Sequence, residues 1–322
     1  MSMKNKTDSK TLTSLIDQYR ISNQADNKSP KTVEWYAENL ISFIIYLGKE
    51  NLGTDLSVFN INSVRDYVLY LHNKPRFANQ PSKENTNLLS PKTVQCHVRT
   101  LKAFSSWLYR NEYTKDNILS NLKIPRAPEK ITQPLTMEET KRTLKVNNRK
   151  TPTGNRNYAI VTLMLDTGVR ESETSSLSIS QVNLDKNCLK VMGKGAKERM
   201  VPFGDYCRII LLDYIENWRP APANKNIDYL FLTSDGKPLS ANAIKLLFSR
   251  LKRATGIKRL HAHLLRHTFA TNYLLNGGDV FTLKEILGHT TLEMVNHYLH
   301  FTTSQLAVLH HQFSPMDKLQ SK

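Results

Sequence analysis

Apolar residues recur at helical spacing through the first third of the chain. Leu12, Leu15, Ile16 and Tyr19 share one face of a helix expected over about Lys10–Gln24. Val33, Tyr36, Leu40, Ile44 and Leu47 line a second helix, opened by Ser29-Pro30. Serine is a good N-cap and proline suits the first helical position. Ile61, Val64, Val68 and Leu71 predict a third helix over Asn60–Asn73, and the polar, proline-bearing stretch His72–Leu89 predicts a long loop. Ser90-Pro91-Lys92-Thr93-Val94 then repeats residues 29–33 and opens a fourth helix, faced by Val94, Val98, Leu101, Phe104 and Leu108. One five-residue repeat does not make a repeat architecture. It predicts two helices capped in the same way, each with a Lys and a Thr in the first turn, where backbone N–H groups favour a phosphate.

The pattern breaks at Asn121–Pro134, which holds three prolines and no helical period. Proline keeps such a stretch extended, so 121–134 is read as a linker. Thr136 and Glu139 then spell a capping box. Asn157–Thr167 is apolar with helical spacing, Gly168 ends it, and Arg170 follows in T-G-V-R-E-S-E. Between Leu177 and Phe203 the period shortens. Val182 and Leu184, then Cys188, Leu189 and Val191, then Met200, Val201 and Phe203 read as short strands. Gly193-Lys194-Gly195 reads as the tight turn of a hairpin, with Lys194 at its tip. Helical patterning returns over about Asp205–Trp218, Ala241–Thr255 and His263 onward. Gly277-Gly278 stops that last helix, the apolar run Val280–Leu287 ends in Gly288-His289, and a further helix carries Tyr298. A short helix is expected over Ser304–His311. The fold class is therefore mainly α with a small β-hairpin sheet, in two domains. Residues 10–120 form an all-helical domain and 135–312 a second one, between a tail at 1–9 and a tail at 313–322.

Composition narrows the function. The 45 Lys and Arg exceed the 28 Asp and Glu, for a formal charge of +17, which points to a polyanionic partner, nucleic acid first. No run of 18 apolar residues is present, so no membrane span is expected. Met1–Lys10 is polar and lysine-rich, unlike a signal peptide. Cys96, Cys188 and Cys207 are scattered and odd in number, fitting neither a disulfide framework nor a zinc pattern, and suit a reducing cytosol.

Cutting a DNA strand without a metal needs three things. A hydroxyl must attack phosphorus, fixed donors must hold the charge growing on the phosphate oxygens, and the departing 5′-oxygen needs a proton. A tyrosine phenol suits the first role and guanidinium forks the second. An ammonium on a hairpin tip suits the third, and histidines donate further hydrogen bonds or move protons. The chain supplies Tyr298, Arg170, Arg266, Lys194, His263 and His289. His263 and Arg266, three apart, share one helix face. Lys31, Thr32, Lys92, Thr93, Lys197 and Arg199 are candidate DNA contacts.

Taken together, T-G-V-R-E-S-E, V-M-G-K-G-A-K-E-R-M-V-P, H-L-L-R-H-T-F-A-T and L-G-H-T-T followed by Tyr298 resemble the tyrosine recombinases, the family of phage-type integrases and Xer recombinases. The resemblance covers most of residues 135–300. Before 120 only the helical pattern and the twin S-P-K-T-V openings fit that family's core-binding domain. It implies that the six residues above are catalytic, with Tyr298 the nucleophile, and that Glu173 buttresses the site without reacting. It implies a 3′-phosphotyrosyl intermediate, a Holliday junction, and a tetramer on two duplexes at an inverted-repeat site, with accessory proteins possible. The bond energy is conserved, so no cofactor, ATP or metal is implied. The family suggests a bacterial or phage source and action on DNA in the cytoplasm. Glu171, Thr174 and His297 depart from the usual pattern, and on that ground integration and excision of a mobile element is preferred to Xer-like dimer resolution. Two rivals stay open: type IB topoisomerase-like relaxation and a non-cleaving DNA-binding regulator. A zinc hydrolase is disfavoured, because H-L-L-R-H lacks the glutamate and Arg266 would set a positive charge beside the metal.

Overall fold

The computed structural model describes residues 11–76, 87–128, 132–193, 198–289, 291–296, 307, 310–311 and 313–320. These fall into two compact units, divided between residues 130 and 131.

The first unit is built from α1 (Leu12–Ala25), α2 (Pro30–Lys49), α3 (Ile61–Asn73) and α4 (Pro91–Arg110). The twin pentapeptides form twin caps. Ser29 Oγ accepts from Thr32 N at 3.2 Å and Ser90 Oγ from Thr93 N at 3.1 Å. The paired hydroxyls stand 2.7 and 2.8 Å apart, so the Thr32 and Thr93 side chains take part in the caps themselves. The apolar faces meet in an aromatic core in which Phe43 crosses Tyr67 edge-on at 5.1 Å and Phe59 crosses Phe104 at 5.5 Å. Edge-to-face pairs stabilise beyond the area they bury. Lys102 serves the fold, because its Nζ donates to the carbonyls of Leu119, Ser120 and Leu122 and so closes a turn whose backbone is not helical. The stretch expected as one loop after α3 is drawn together by a bridge between Pro75 and Leu88.

The second unit centres on α6 (Pro152–Thr167), whose Ala159, Ile160, Val161, Leu163 and Met164 are all buried. Helix α6 starts before the apolar run that predicted it, because Thr151 caps Gly154 N and Pro152 takes the first position. Around it lie α5 (Met137–Lys145), α7 (Glu171–Ser176), α8 (Asp205–Asp213), α9 (Ala241–Thr255), α10 (Ala262–Leu275), α11 (Val280–Leu287) and α12 (Glu293–Asn296). The helix expected over Asp205–Trp218 is α8 followed by a π-helical turn, Tyr214–Trp218, which buries Tyr214 so that its hydroxyl accepts from Leu232 N at 3.3 Å. The sheet is antiparallel in the order β1 (Val182–Asn183), β2 (Cys188–Met192), β3 (Glu198–Pro202). Leu189, Val191 and Val201 face the core, whereas Met192 and Met200 face out, the alternation a half-covered sheet requires. The hairpin tip, with Lys194 and Lys197, lies outside the described residues, as do most of the helix expected over Ser304–His311 and the segment carrying Tyr298.

The end of the chain corrects one expectation. Residues 313–322, read as a tail, contain a short helix at Pro315–Gln320. Ser314-Pro315 is the same cap-and-proline opening that starts α2 and α4. His311 Nδ1 lies 2.9 Å from Asp317 Oδ2 in its first turn. No helix among the described residues is long and apolar enough to cross a membrane.

Candidate active site

Arg266 organises the site. It lies on α10 and is only 1% exposed. Its Nη1 donates to the carbonyl of Gly168 at 2.8 Å and its Nη2 to that of Leu287 at 2.7 Å. One guanidinium thereby ties together the ends of α6 and α11, which precede Arg170 and His289. The contact is possible because both helices stop in left-handed backbone at glycine, Gly168 and Gly288, which turns the last carbonyls inward. Arg266 Nη2 also lies 2.8 Å from His289 Nε2. Arginine has no acceptor, so Nε2 is the accepting nitrogen and His289 is neutral with its proton on Nδ1. Its pKa agrees: burial first, then the charges of Arg266 and Arg170, lower it to about 4.

Arg170 stands at the start of α7 and is about one-third exposed. Its backbone N–H donates to Glu173 Oε2 at 2.8 Å and its Nη1 to Oε1 at 2.9 Å. The remaining guanidinium N–H groups make no hydrogen bond among the described residues. Burial pushes the Glu173 carboxyl up, but hydrogen bonds from Arg199 and the Arg170 N–H more than offset it, and the group sits below its ordinary range. Two departures from the family pattern find local partners. Glu171 pairs with Lys245 at 3.4 Å, and the buried Thr174 donates its hydroxyl to the Arg170 carbonyl at 3.0 Å.

Arg199 differs from its expectation. Rather than reaching for DNA, its side chain is 11% exposed and its guanidinium points inward onto Glu173. A buried carboxylate beside the Arg170 turn outcompetes solvent for the fork. Lys31, Thr32, Lys92 and Thr93 all belong to the helical unit.

A cleft of about 610 Å³ opens between α9, α10 and the Arg170 turn, lined by Arg170, His263 and Arg266 together with Lys245, Lys252 and His261. Lys245, Ser249 and Lys252 recur at i, i+4 and i+7 along α9, so this basic wall was readable as one helix face. His263 is held neutral, its pKa lowered by burial and then by Arg266, His261, His267 and Arg170. Helix α10 is steadied from behind. Thr268 Oγ1 accepts from Leu135 N at 2.9 Å, His267 Nε2 meets the Thr132 carbonyl, and Arg259 grips Glu139 with both terminal nitrogens. The arrangement sets Arg170, His263 and Arg266 on one basic cleft, suited to charge developing on a phosphate.

A family model described as the phage integrase family matches residues 133–305. The chain belongs to this family. It is a tyrosine-type site-specific recombinase, an enzyme that breaks and rejoins DNA. Tyrosine recombinase XerC of Bacillus pumilus is 32% identical over 285 residues, 87% of this chain and 89% of that protein. Among solved structures, the Tn1549 transposon integrase in complex with transposon right end DNA superposes with a TM-score of 0.73 at 18% identity, over 95% of this chain and 100% of that one. A lambda integrase dimer bound to a COC′ core site superposes with a TM-score of 0.67 at 16% identity, over 88% of this chain and 97% of that one. At such identities the structures speak for a shared fold: an N-terminal helical domain and a mainly helical catalytic domain with a three-stranded sheet.

Of the six residues expected to carry the recombinase chemistry, Arg170, His263 and Arg266 share the cleft and His289 is hydrogen-bonded to Arg266. Lys194 and Tyr298 lie outside the described residues. What sequence reasoning missed is the inward set: the carbonyls of Gly168 and Leu287, and Arg199 on Glu173.

Proposed function

We propose that this cleft is where the recombinase cleaves and rejoins double-stranded DNA, with Tyr298 as nucleophile. The observation that carries the reading is the convergence of Arg170, His263 and Arg266 on one basic opening. The phenol oxygen of Tyr298 forms a bond to phosphorus as the bond from phosphorus to the 5′-oxygen breaks. His263, held neutral, accepts the phenol proton, and Lys194 gives a proton to the departing 5′-oxygen. Arg170 and Arg266 hold the non-bridging oxygens, and His289 keeps Arg266 in place. Attack by the 5′-hydroxyl of a second duplex reverses the step, so no cofactor enters. The enzyme acts as a tetramer on two duplexes at an inverted-repeat core site in the bacterial cytoplasm. The helical unit, through the first turns of α2 and α4 with Lys31 and Lys92, grips the same DNA.

The role preferred here is integration and excision of a mobile element, supported by the local departures at Glu171 and Thr174 from the Xer-like pattern. The resemblance in sequence to XerC favours dimer resolution as the second reading. Both are tested by one experiment. Wild type and Tyr298→Phe are mixed with randomly nicked genomic DNA of the source organism, denatured, and the DNA still attached to protein is sequenced. Adducts for wild type alone, gathered at one inverted repeat, support the reading, and the genes around that repeat separate the two roles. Adducts scattered without a shared sequence favour a topoisomerase, and intact binding without adducts favours a regulator.

A further inference from the structure

We propose that Arg199 is a positioning residue for strand cleavage, holding the Arg170 turn, strand β3 and the end of α11 in one register. The inference rests on the recombinase function proposed above. Each of the three guanidinium nitrogens is used inside the protein. Nη1 and Nη2 donate to the two oxygens of Glu173, both at 2.9 Å, and Nε donates to the carbonyl of Ile286 at 2.8 Å. Glu173 passes the constraint to Arg170 through the backbone N–H and Nη1. Ile286 passes it along the last turn of α11 towards His289, whose N–H closes that turn on the Lys284 carbonyl at 3.0 Å. The chain makes room for this side chain. A Cβ at Gly288 would meet Cδ, Nε and Cζ of Arg199 at 3.0, 3.1 and 3.2 Å.

The geometry fits positioning better than DNA contact. A planar fork fixes both the distance and the angle between a carboxylate and a carbonyl, which an ammonium does not. Arg199 sits at the start of β3, which pairs with β2, so the same side chain that orients Arg170 also anchors one leg of that hairpin. Removing it leaves the Glu173 carboxylate buried with half of its hydrogen bonds gone.

The test compares wild type, Arg199→Lys and Arg199→Ala at saturating protein on randomly nicked genomic DNA, following the covalent adduct in time. Wild type must form adducts that Tyr298→Phe does not. If it fails to, the recombinase function falls and this proposal with it. With wild type active, both Arg199 variants should cleave about 10- to 100-fold more slowly, the loss expected when reacting groups are slightly misplaced. Their DNA affinity and cooperative melting should be retained. Millimolar guanidinium should restore part of the rate of Arg199→Ala while leaving wild type unchanged. The acid limb of cleavage should move to higher pH in Arg199→Ala, because Glu173 loses the partner that keeps it ionised. Wild-type rates in both variants would overturn the proposal. So would a loss confined to DNA affinity, which would make Arg199 a DNA contact. Absence of a cooperative melting transition in both variants, without rescue by guanidinium, would also overturn it and leave Arg199 a residue of the fold alone.

Discussion

Replacing Gly168 by alanine probes how the site is assembled, and Gly256 supplies a control within the same unit. Both glycines end long helices in left-handed backbone, at φ 65° and 71°. A methyl at Gly256 meets nothing within 4 Å. A methyl at Gly168 would stand 2.5 Å from Phe269 Cδ1 and 2.8 Å from Leu287 Cδ2, distances that force movement. Left-handed backbone costs an alanine about 1–2 kcal/mol, and the stiffer unfolded chain offsets roughly half of that. Gly256→Ala should therefore cost roughly 1 kcal/mol. Gly168→Ala adds overpacking of about 1–3 kcal/mol, for a total of about 2–4 kcal/mol. In a unit of this size each kcal/mol lowers Tm by about 2–4 °C. Scanning calorimetry of the full chain should show a drop of about 2–4 °C for Gly256→Ala and about 4–16 °C for Gly168→Ala. Cleavage should fall with the second only, because the Gly168 carbonyl accepts from Arg266 and the next turn carries Arg170. Equal shifts in the two variants would refute the packing argument. A strongly destabilised Gly168→Ala that cleaves at the wild-type rate would refute the link between that turn and the chemistry.

Other consequences follow from the charges. Burial, more than any neighbour, lowers the pKa values of His263, His267 and His289 below the ordinary 6.5, His289 to about 4. The unfolded chain takes up these protons first, so stability should decline as pH falls from 6.5 towards about 4. Melting curves of wild type and His289→Gln across that window should differ in slope, and identical slopes would remove His289 from the account. Glu173, held below 4.5, contributes stability that is fully present above that pH and is lost as pH falls through its folded value. Glu173→Gln should therefore blunt the further loss seen in that more acidic range, again by melting. Lys194→Ala should cleave ordinary DNA poorly yet cleave DNA with a 5′-bridging sulfur well, since a thiolate leaves without a proton. Failure of sulfur to rescue would take Lys194 out of the general-acid role.

The sequence alone determined where most helices lie and, at the strongest caps, where they start. Ser-Pro pairs at 29–30 and 90–91 and the capping box at Thr136 are local signals, because a cap satisfies backbone groups within three residues of itself. The same signal stands at Ser314-Pro315, but no apolar period follows it, so the pattern alone predicts no helix there. The enzyme class was legible too, because the motifs around Arg170, Lys194, His263 and His289 resemble those of the family to which the chain belongs. Partnership was not. Arg266 meets the Gly168 carbonyl across 98 positions, and Arg199 meets Ile286 across 87. No local pattern distinguishes an arginine turned to solvent from one drawn inward by a buried carboxylate. Only the tertiary packing of α6, α10, α11 and β3 brings those acceptors to one place. That packing made Arg199 an internal brace and set His289 neutral against Arg266, because a guanidinium removed from water must find its acceptors inside the protein.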